Sequence, residues 1–245
     1  MEKQALLNTY VNNVTLGETV AAIEQLLQQD KASYVVPINV DVVMKIEEDT
    51  YLKQIVDGAD LVLVDGKPLV WISKYHKRPV KEKVSGSDLV PALCALAAEK
   101  DYSVFLLGGK DGIAQQAKEK MEKAYPGIRV VGTYAPPMGF EKDDGELEKV
   151  NEIINQAKPD LLIVCFGCPK QEKFIYENMD KYEAKVSVCA GATVDFLAGN
   201  VKRAPKWMSD HGLEWFYRFT QEPKRLFKRY FVDDVQILRL MFKYR

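Results

Sequence analysis

Several residue types and patterns that mark common functions are scarce in this sequence of 245 residues. Its two histidines, His76 and His211, have no serine or cysteine partner that would indicate a nucleophilic triad. The chain lacks a GxGxxG turn, a P-loop and a DxD pair, which argues against a dinucleotide-dependent oxidoreductase and against a metal-held nucleotide diphosphate. Any diphosphate would have to be bound by arginine, lysine or backbone donors.

Long apolar runs and paired metal ligands are also missing. No stretch approaches the ~18 apolar residues of a membrane span, and the first 20 residues lack the apolar core of a signal peptide, so we expect a cytoplasmic protein. Cys165 and Cys168 form a CxxC pair, but no second CxxC or HxxxH completes a zinc site. We therefore expect buried, reduced thiols, no metal and no cofactor.

The apolar content is enough to bury one sizeable core, since hydrophobic residues make up 47% of the chain. Short runs rich in β-branched residues alternate with longer segments of helical periodicity. Strands are predicted at 33–36, 60–64, 102–107, 128–132, 160–165 and 185–189, and helices at 16–28, 86–99, 112–124, 143–156 and 169–179. This alternation predicts an α/β fold with a mainly parallel sheet and helices on both faces, and residues 6–15 could add a hairpin or edge strand.

The chain changes character after Gly199. Residues 202–245 carry 11 Lys or Arg against 5 Asp or Glu, although the whole chain has a net charge of −1. From Pro223 onward, apolar and basic side chains recur at helical spacing, which predicts an amphipathic cationic helix. We therefore divide the chain into an α/β body, residues 1–199, and a basic, aromatic C-terminal appendage, residues 200–245. No nucleic-acid-binding module is recognisable, so we expect the appendage to dock on an anionic lipid surface, with self-association as a further possibility.

Ligands of open α/β sheets bind beyond the carboxyl ends of the strands, so the loops at these ends are the candidate sites. The loop at Gly108 and Gly109 either holds a diphosphate through its N–H groups or is a tight turn before a helix. Asp65 follows the apolar run LVLV and could be a general base, although its position alone favours the cap of a following helix. Asn39 has the same ambiguity.

Further polar residues lie at predicted helix starts and in the appendage. Gln171 could hydrogen-bond a sugar or phosphate, while Glu172 could simply favour the helix dipole. Asp195 is either a ligand contact or a cap. The appendage arginines are either phosphate ligands or part of a solvated face, and the aromatic residues around them favour the first interpretation. These arginines are Arg203, Arg218, Arg225 and Arg229.

Six segments resemble the WecG/TagA/CpsF family of bacterial glycosyltransferases, in the family's order and over nearly the whole chain. They are ADLVLVDGKPLVW (59–71), VSGSDLV (84–90), FLLGGKDG (105–112), FGCPKQEKFI (166–175), GATVDFLAGNVKRAPKWM (191–208) and GLEWFYRFTQEPKRLFKRY (212–230). The resemblance implies a Rossmann-like core with a C-terminal helical appendage that helps close the site and meets the membrane.

The resemblance also implies an activity. Family members are inverting, metal-independent transferases that use a UDP-sugar as donor and a polyprenyl-diphosphate-linked N-acetylglucosamine as acceptor. N-acetylmannosamine is the leading donor sugar, in the synthesis of teichoic acid or another surface polysaccharide. The enzyme would work peripherally at the inner face of the cell membrane.

Individual residues take roles from the resemblance. Asp65 corresponds to the catalytic base for the acceptor hydroxyl, Gln171 to a sugar or acceptor contact, and Asn39 to the family's asparagine near the first strand end. Arg218 and Arg225 correspond to arginines that stabilise the leaving diphosphate, with Arg229 or Lys228 as a third positive charge. The remaining residues of the predicted substrate site are Lys83, Gly108, Gly109, Asp195 and Arg203.

Two positions depart from the family pattern. Pro37 stands where the family often has threonine, and Lys83 where it usually has arginine. Lysine keeps the charge but loses the bidentate geometry. Both changes leave the donor open, with UDP-glucose or another hexose donor as the alternative. A hypothesis of another class is a non-catalytic, membrane-associated protein that binds nucleotide sugars.

Overall fold

Most strands of the fold belong to one parallel sheet. The computed structural model describes residues 2–245, apart from the side chains of Lys206, Asp210 and Arg225. The strands are β1 Lys3–Leu6, β2 Thr9–Asn12, β3 Ser33–Ile38, β4 Leu61–Val64, β5 Ser103–Gly108, β6 Arg129–Tyr134, β7 Leu161–Cys165 and β8 Val186–Cys189. The central sheet has the order β4-β3-β8-β7-β5-β6 and only parallel pairings, while β1 and β2 form a separate antiparallel hairpin.

Helices connect the strands and pack on the sheet. Those of the body are α1 Leu16–Leu27, α2 Val40–Glu48, α3 Thr50–Asp57, α4 Lys67–Tyr75, α5 Gly86–Lys100, α6 Ile113–Ala124, α7 Asp144–Ala157, α8 Lys170–Asn178 and α9 Thr193–Leu197, with a 3₁₀ turn at Phe140–Lys142. Those of the appendage are α10 Lys206–Asp210, α11 Glu214–Gln221, α12 Pro223–Lys228 and α13 Ile237–Lys243, with a π turn at Arg229–Asp233 and a 3₁₀ turn at Asp234–Gln236. The predicted α/β fold with a C-terminal helical segment is confirmed.

The sheet is buried on both faces, as its apolar runs predict. Successive side chains of a strand point to opposite faces, so β5 sends Phe105 and Leu107 into one core cluster and Val104 and Leu106 into the other. Burial of each such side chain contributes about 1.5–3 kcal/mol. The two apolar layers hold the strand ends in fixed positions, and the loops that follow them therefore start from a rigid base.

Strand β3 runs to Ile38, two residues beyond its predicted end, and includes Pro37. Proline cannot donate a ladder hydrogen bond, but the pairing of β3 with β8 ends at the Val35–Val188 pair. Pro37 instead stands opposite Leu63 of β4 in the register. Its missing N–H lies on the β8 side, beyond the paired stretch, so the strand can continue without losing a hydrogen bond.

The appendage is attached to the body through its last helix. Ile237 and Leu240 of α13 are buried in the core cluster that α2 and α4 share with one face of the sheet. The Nε2 atom of His76, at the end of α4, lies 2.8 Å from the backbone oxygen of Met241. The boundary at residue 199 stays a prediction, but α13 shares the core of the body.

Candidate active site

A polar cavity of about 170 Å³ opens at the carboxyl ends of β4, β3, β8 and β7, which are neighbours in the sheet. The first residues of several helices and part of the appendage complete its wall. The lining residues are Pro37, Asn39, Asp41, Val42, Asp65, Ser85, Gly86, Ser87, Gly167, Cys168, Gln171, Cys189, Ala190, Gly191, Ala192, Thr193, Phe196, Glu214, Arg218 and Arg229. The body therefore supplies a carboxylate and the appendage supplies two arginines to one space.

Asp65 is the first residue after β4 and is only partly exposed. The cap position of α4 is occupied by Gly66, and none of the described side chains caps this helix. The capping role that position alone favours for Asp65 is therefore wrong. The Asp65 carboxylate accepts no hydrogen bond from the residues that the structure describes, so it stays available to a ligand in the cavity.

The surroundings of Asp65 make it a stronger base than an ordinary aspartate. Burial is the main cause that raises the pKa of Asp65 to about 6; the cations of Lys83 and Arg218 oppose this shift, and the carboxylates of Glu214 and Asp88 add to it. A pKa close to the working pH suits a general base, because the group is ionised and still basic enough to accept a proton. The position and the pKa of Asp65 thus agree with base catalysis.

Arg218 of α11 and Arg229 reach the cavity from the appendage. The Nε atoms of both are buried and donate no hydrogen bond to a described residue. Nε of Arg229 lies 3.9 Å from Asp41 and 3.7 Å from Asp234, too far for hydrogen bonds. Buried guanidinium donors without partners are costly, and an anionic ligand such as a phosphate would satisfy them.

Three helix N-termini add positive potential to the same cavity. Asn39 caps α2 by accepting the N–H of Val42 at 3.2 Å. Ser85 caps α5, and the first turn of α8 contributes Gln171. Helix N-termini carry partial positive charge and favour anions. Of the two interpretations of Asn39, the cap is therefore confirmed, and the residue also lines the cavity.

Gln171 joins two loops instead of pointing freely at a ligand. Its Oε1 atom accepts the N–H of Gly167 at 3.2 Å and that of Gly191 at 3.0 Å. Its Nε2 atom donates to Glu172 at 2.9 Å. Gln171 lines the cavity, but its acceptor oxygen is already used, so the predicted contact with a sugar is restricted to the remaining amide hydrogen.

Lys83 and Arg203 lie at a second, larger cavity of about 560 Å³. Lys83 Nζ is 2.8 Å from Asp88 and 3.7 Å from Glu214, and Arg203 also pairs with Asp88. Although burial acts in the opposite direction, these hydrogen bonds and that of Ser85 hold the pKa of Asp88 at about 2. Lys83 thus links the two cavities, since Glu214 lines the first one.

Three predicted ligand residues lie outside both cavities, and one cannot be placed. Gly108 is the last residue of β5, and Gly109 follows it. A side chain at Gly108 would come within 2.7 Å of the Cys165 carbonyl oxygen, so close strand packing requires this glycine. Asp195 accepts a hydrogen bond from the Asn200 side chain. The side chain of Arg225 lies outside the described residues. Their roles in binding stay predictions.

Sequence reasoning missed Glu214, Ser85 and Ser87 as cavity residues. The segment VSGSDLV contains both serines, and a serine before a helical run is a cap signal that could have placed this helix start beside the site. Glu214 carried no local signal, because only the docking of the appendage brings it to the strand ends.

Among the described residues, no group of three or more His, Cys, Asp or Glu side chains is arranged to hold a metal ion. The four cysteines have free thiols. In the described part of the chain, no helix has both the length and the apolar character needed to span a bilayer.

Comparison with known proteins agrees with this geometry. The sequence model of the glycosyl transferase WecG/TagA/CpsF family matches residues 4–245. The chain belongs to this family. It is a glycosyltransferase, as the resemblance implies, and the polar cavity at the strand ends is its candidate active site.

Two relatives carry the same name, N-acetylglucosaminyldiphosphoundecaprenol N-acetyl-beta-D-mannosaminyltransferase. The protein of Bacillus spizizenii (strain ATCC 23059 / NRRL B-14472 / W23) is 31% identical over 199 residues, which cover 81% of this chain and 75% of that protein. The protein of Bacillus subtilis (strain 168) is 28% identical over 226 residues, which cover 92% of this chain and 86% of that protein. Both matches extend over most of each glycosyltransferase.

The raised pKa of Asp65 predicts that this carboxylate lowers the stability of the fold at neutral pH. The folded protein binds this proton more tightly than the unfolded chain, so stability is lost as the pH rises from about 4 through about 6. Asp65→Asn should therefore raise the free energy of unfolding at pH 7.5 by about 2–3 kcal/mol, and the gain should disappear near pH 4. Urea denaturation at both pH values measures this difference.

Asp88→Asn is the matched control, because it should change the free energy of unfolding in the opposite direction. Because the pKa of Asp88 is lowered to about 2, its ion pairs stabilise the fold above the ordinary pKa, and the variant should lose stability at pH 7.5 and still at pH 4. A less stable Asp65→Asn at pH 7.5 would contradict the burial penalty assigned to Asp65.

Proposed function

We propose that this glycosyltransferase moves N-acetylmannosamine from a UDP-sugar to a polyprenyl-diphosphate-linked N-acetylglucosamine, with inversion and without a metal ion. The names of the two relatives support this donor sugar and this acceptor. The observation that carries the mechanism is the presence of Asp65, Arg218 and Arg229 around one cavity. A base and a leaving-group site must be this close for a direct displacement.

The reaction is a single displacement at the anomeric carbon. The acceptor oxygen attacks this carbon while Asp65 takes the hydroxyl proton, and the bond between the anomeric carbon and the diphosphate oxygen breaks. UDP leaves with the bonding electron pair. Attack opposite to the leaving group inverts the anomeric configuration, and no covalent enzyme intermediate is needed.

Arg218 and Arg229 stabilise the departing diphosphate. Their unpaired Nε donors and the N-termini of α2, α5 and α8 supply positive charge at the cavity. In other diphosphate sites a divalent cation provides that charge. The proposed metal independence rests on these donors, which are in place before substrate arrives and cost little reorganisation during the reaction.

The identity of the donor sugar depends on the wall around Pro37. Pro37 lines the cavity and presents no hydroxyl group. A hydroxyl at that position could have fixed one substituent of the sugar, so UDP-glucose is the second candidate donor. A panel of UDP-sugars with lipid-linked N-acetylglucosamine, read by mass spectrometry, decides between them.

Replacement of Asp65 tests the base. Asp65→Ala should reduce the rate of transfer by about 10³-fold or more, because the acceptor hydroxyl loses its proton acceptor, while UDP affinity stays nearly unchanged. In the wild type, kcat/KM should fall about tenfold per pH unit below about pH 6, as Asp65 becomes protonated. Initial rates with a short-chain acceptor and calorimetric titration with UDP measure the two effects.

A near-normal rate for Asp65→Ala would eliminate Asp65 as the base. If the wild type binds UDP-sugars but transfers none in the panel, the non-catalytic binding protein becomes the correct hypothesis. Either result leaves the family assignment intact, since that rests on the sequence match.

The appendage arginines have a matched control on α13. Arg218→Ala and Arg229→Ala should each lower kcat by about 10²–10³-fold, because charge that develops on the diphosphate is no longer neutralised. Arg239→Ala removes an exposed guanidinium from the same appendage and lines neither cavity, so it should keep the wild-type rate. Equal losses in all three variants would point to a general electrostatic effect of the appendage.

The exposed face of the appendage fits the proposed position at the membrane. Phe227 and Phe231 are 57% and 48% exposed, although their rings contact each other and other aromatic residues of the appendage. Exposed aromatic residues beside basic ones suit the interface of an anionic bilayer. The acceptor carries a polyprenyl chain, so docking there would bring the cavity to its substrate.

Flotation with vesicles tests this docking. The double variant Phe227→Ser and Phe231→Ser should lose binding to vesicles that contain phosphatidylglycerol, because both apolar contacts with the lipid disappear. Tyr10→Ser, which changes an equally exposed aromatic residue on β2, should still float. The double variant should also keep its rate on a water-soluble short-chain acceptor. Unchanged flotation of the double variant would refute the docking role.

A further inference from the structure

Gln171 connects the two loops that form the floor of the cavity. Gly167 belongs to the loop after β7 and Gly191 to the loop after β8, and both N–H groups donate to the same Oε1 atom. Both glycines have positive φ angles, +76° and +56°, so each loop turns at this residue. One side chain therefore fixes the spacing of two adjacent strand-end loops.

The contacts also determine which way the Gln171 amide points. The two backbone N–H groups are donors only, so the oxygen of the amide must face them. The Nε2 group then faces Glu172, whose Oε1 atom accepts it at 2.9 Å. Without this acceptor, nothing else among the described residues would hold the amide nitrogen in place.

Glu172 is fully buried on α8. It forms no salt bridge with the residues that the structure describes, and its Oε2 atom has no hydrogen-bond partner among them. The cation that faces it is Lys45, whose Nζ is held by Asp41 at 2.8 Å and by the Cys168 carbonyl at 2.9 Å. A buried carboxyl without a counter-ion is an expensive group to keep, so it calls for an explanation beyond packing.

We infer that Glu172 is a positioning residue for the transfer reaction, which acts through Gln171 to hold the loops at Gly167 and Gly191 in the geometry that receives the donor sugar. The inference rests on the proposed function for the reaction that it supports. Glu172 does not line the cavity, so it touches neither substrate, and its effect passes through the amide of Gln171.

The surroundings of Glu172 favour the uncharged acid in this role. Burial raises the pKa of Glu172; the hydrogen bonds of Gln171 and Cys168 and the charge of Lys45 oppose it. The thiols of Cys168 and Cys189 are the other titratable groups beside it, and burial raises their pKa values as well. An uncharged glutamine at position 172 could therefore replace the acid, because it also offers a carbonyl oxygen to Gln171.

A double-mutant cycle in the full-length chain tests the coupling. The variants are Glu172→Met, Gln171→Met, the double variant, and Glu172→Gln as the conservative replacement. Methionine keeps the length of both side chains but removes their hydrogen bonds. The measurements are kcat and KM for transfer, and amide hydrogen exchange of the segments that contain Gly167 and Gly191.

Glu172→Met should lower kcat about tenfold or more, since small displacements of positioning groups are costly, and should speed exchange at both glycines. Glu172→Gln should stay within about threefold of the wild type in both measurements. In the Gln171→Met background, Glu172→Met should cause no further loss, because its effect passes through an amide that is already absent.

Additive losses in the cycle, or a Glu172→Gln variant as impaired as Glu172→Met, would overturn the inference. If Glu172→Met does not fold, Glu172→Gln still decides, since unprotected glycine amides in that variant contradict the role. Hydrogen exchange needs no substrate, so it separates this inference from the proposed function. Absence of transfer by the wild type would refute the function, while the exchange cycle would still test the coupling of Glu172 to the loops.

Discussion

The candidate active site depends on the packing of the C-terminal appendage against the body. Asp65 belongs to the sheet, but Arg218, Arg229 and Glu214 belong to the appendage, and they reach the cavity only when it is docked. Burial of Ile237 and Leu240 stabilises the docked position, with about 1.5–3 kcal/mol for each side chain. The contact between His76 and the Met241 carbonyl fixes the end of the same helix. The apolar contacts of α13 thus help to complete the candidate site.

The charged groups of the site lower the stability of the fold, because they are removed from water. This loss of stability indicates that they serve a function. It places a desolvated carboxylate, Asp65, beside guanidinium groups whose Nε donors are buried and unpaired. A fold selected only for stability would pair these charges directly, as it does around Asp88. Among the described residues, Asp65 and Arg218 have no direct ion pair, so both stay ready for a substrate group, and the rest of the core offsets the loss of stability.

Much of the fold could be predicted from the sequence, because apolar runs such as LVLV and LLIVC are long enough to identify buried parallel strands. No bounds were predicted for helices α2, α3 and α4, although a helix was expected to follow Asp65. They are only 8–9 residues long, so each has too few turns for a clear helical period. Asn39 precedes α2 and Asp65 precedes α4. From sequence alone, a polar residue after a strand can be interpreted equally well as a helix cap or as a ligand contact. Asn39 is a cap and Asp65 is not, a difference that depends on three-dimensional packing.

The candidate residues of the site were predictable to different degrees, because some of their roles also depend on three-dimensional packing. The family motifs pointed to Asp65 and the appendage arginines, and the structure brings Asp65, Arg218 and Arg229 together. The motif around Gln171 did not reveal that its amide oxygen binds two backbone groups. Gly108 looked like a phosphate-binding residue, yet the adjacent strand carbonyl already requires a glycine there. Glycines and amides serve structure and binding equally well, whereas a buried carboxylate without a partner has few structural uses.

Glu214 and Arg218 lie on the same helix and act on Asp65 in opposite directions. Glu214 raises the pKa of Asp65 and Arg218 lowers it. In the proposed reaction, the donor diphosphate binds Arg218 and neutralises its charge, while Glu214 keeps its place beside Asp65. The effect of Glu214 on the pKa of Asp65 is then no longer opposed by Arg218, so the Asp65 carboxylate becomes more basic once the donor is bound. Before that point, Arg218 keeps Asp65 less basic. The appendage would therefore couple occupation of the diphosphate site to activation of the base that the acceptor needs.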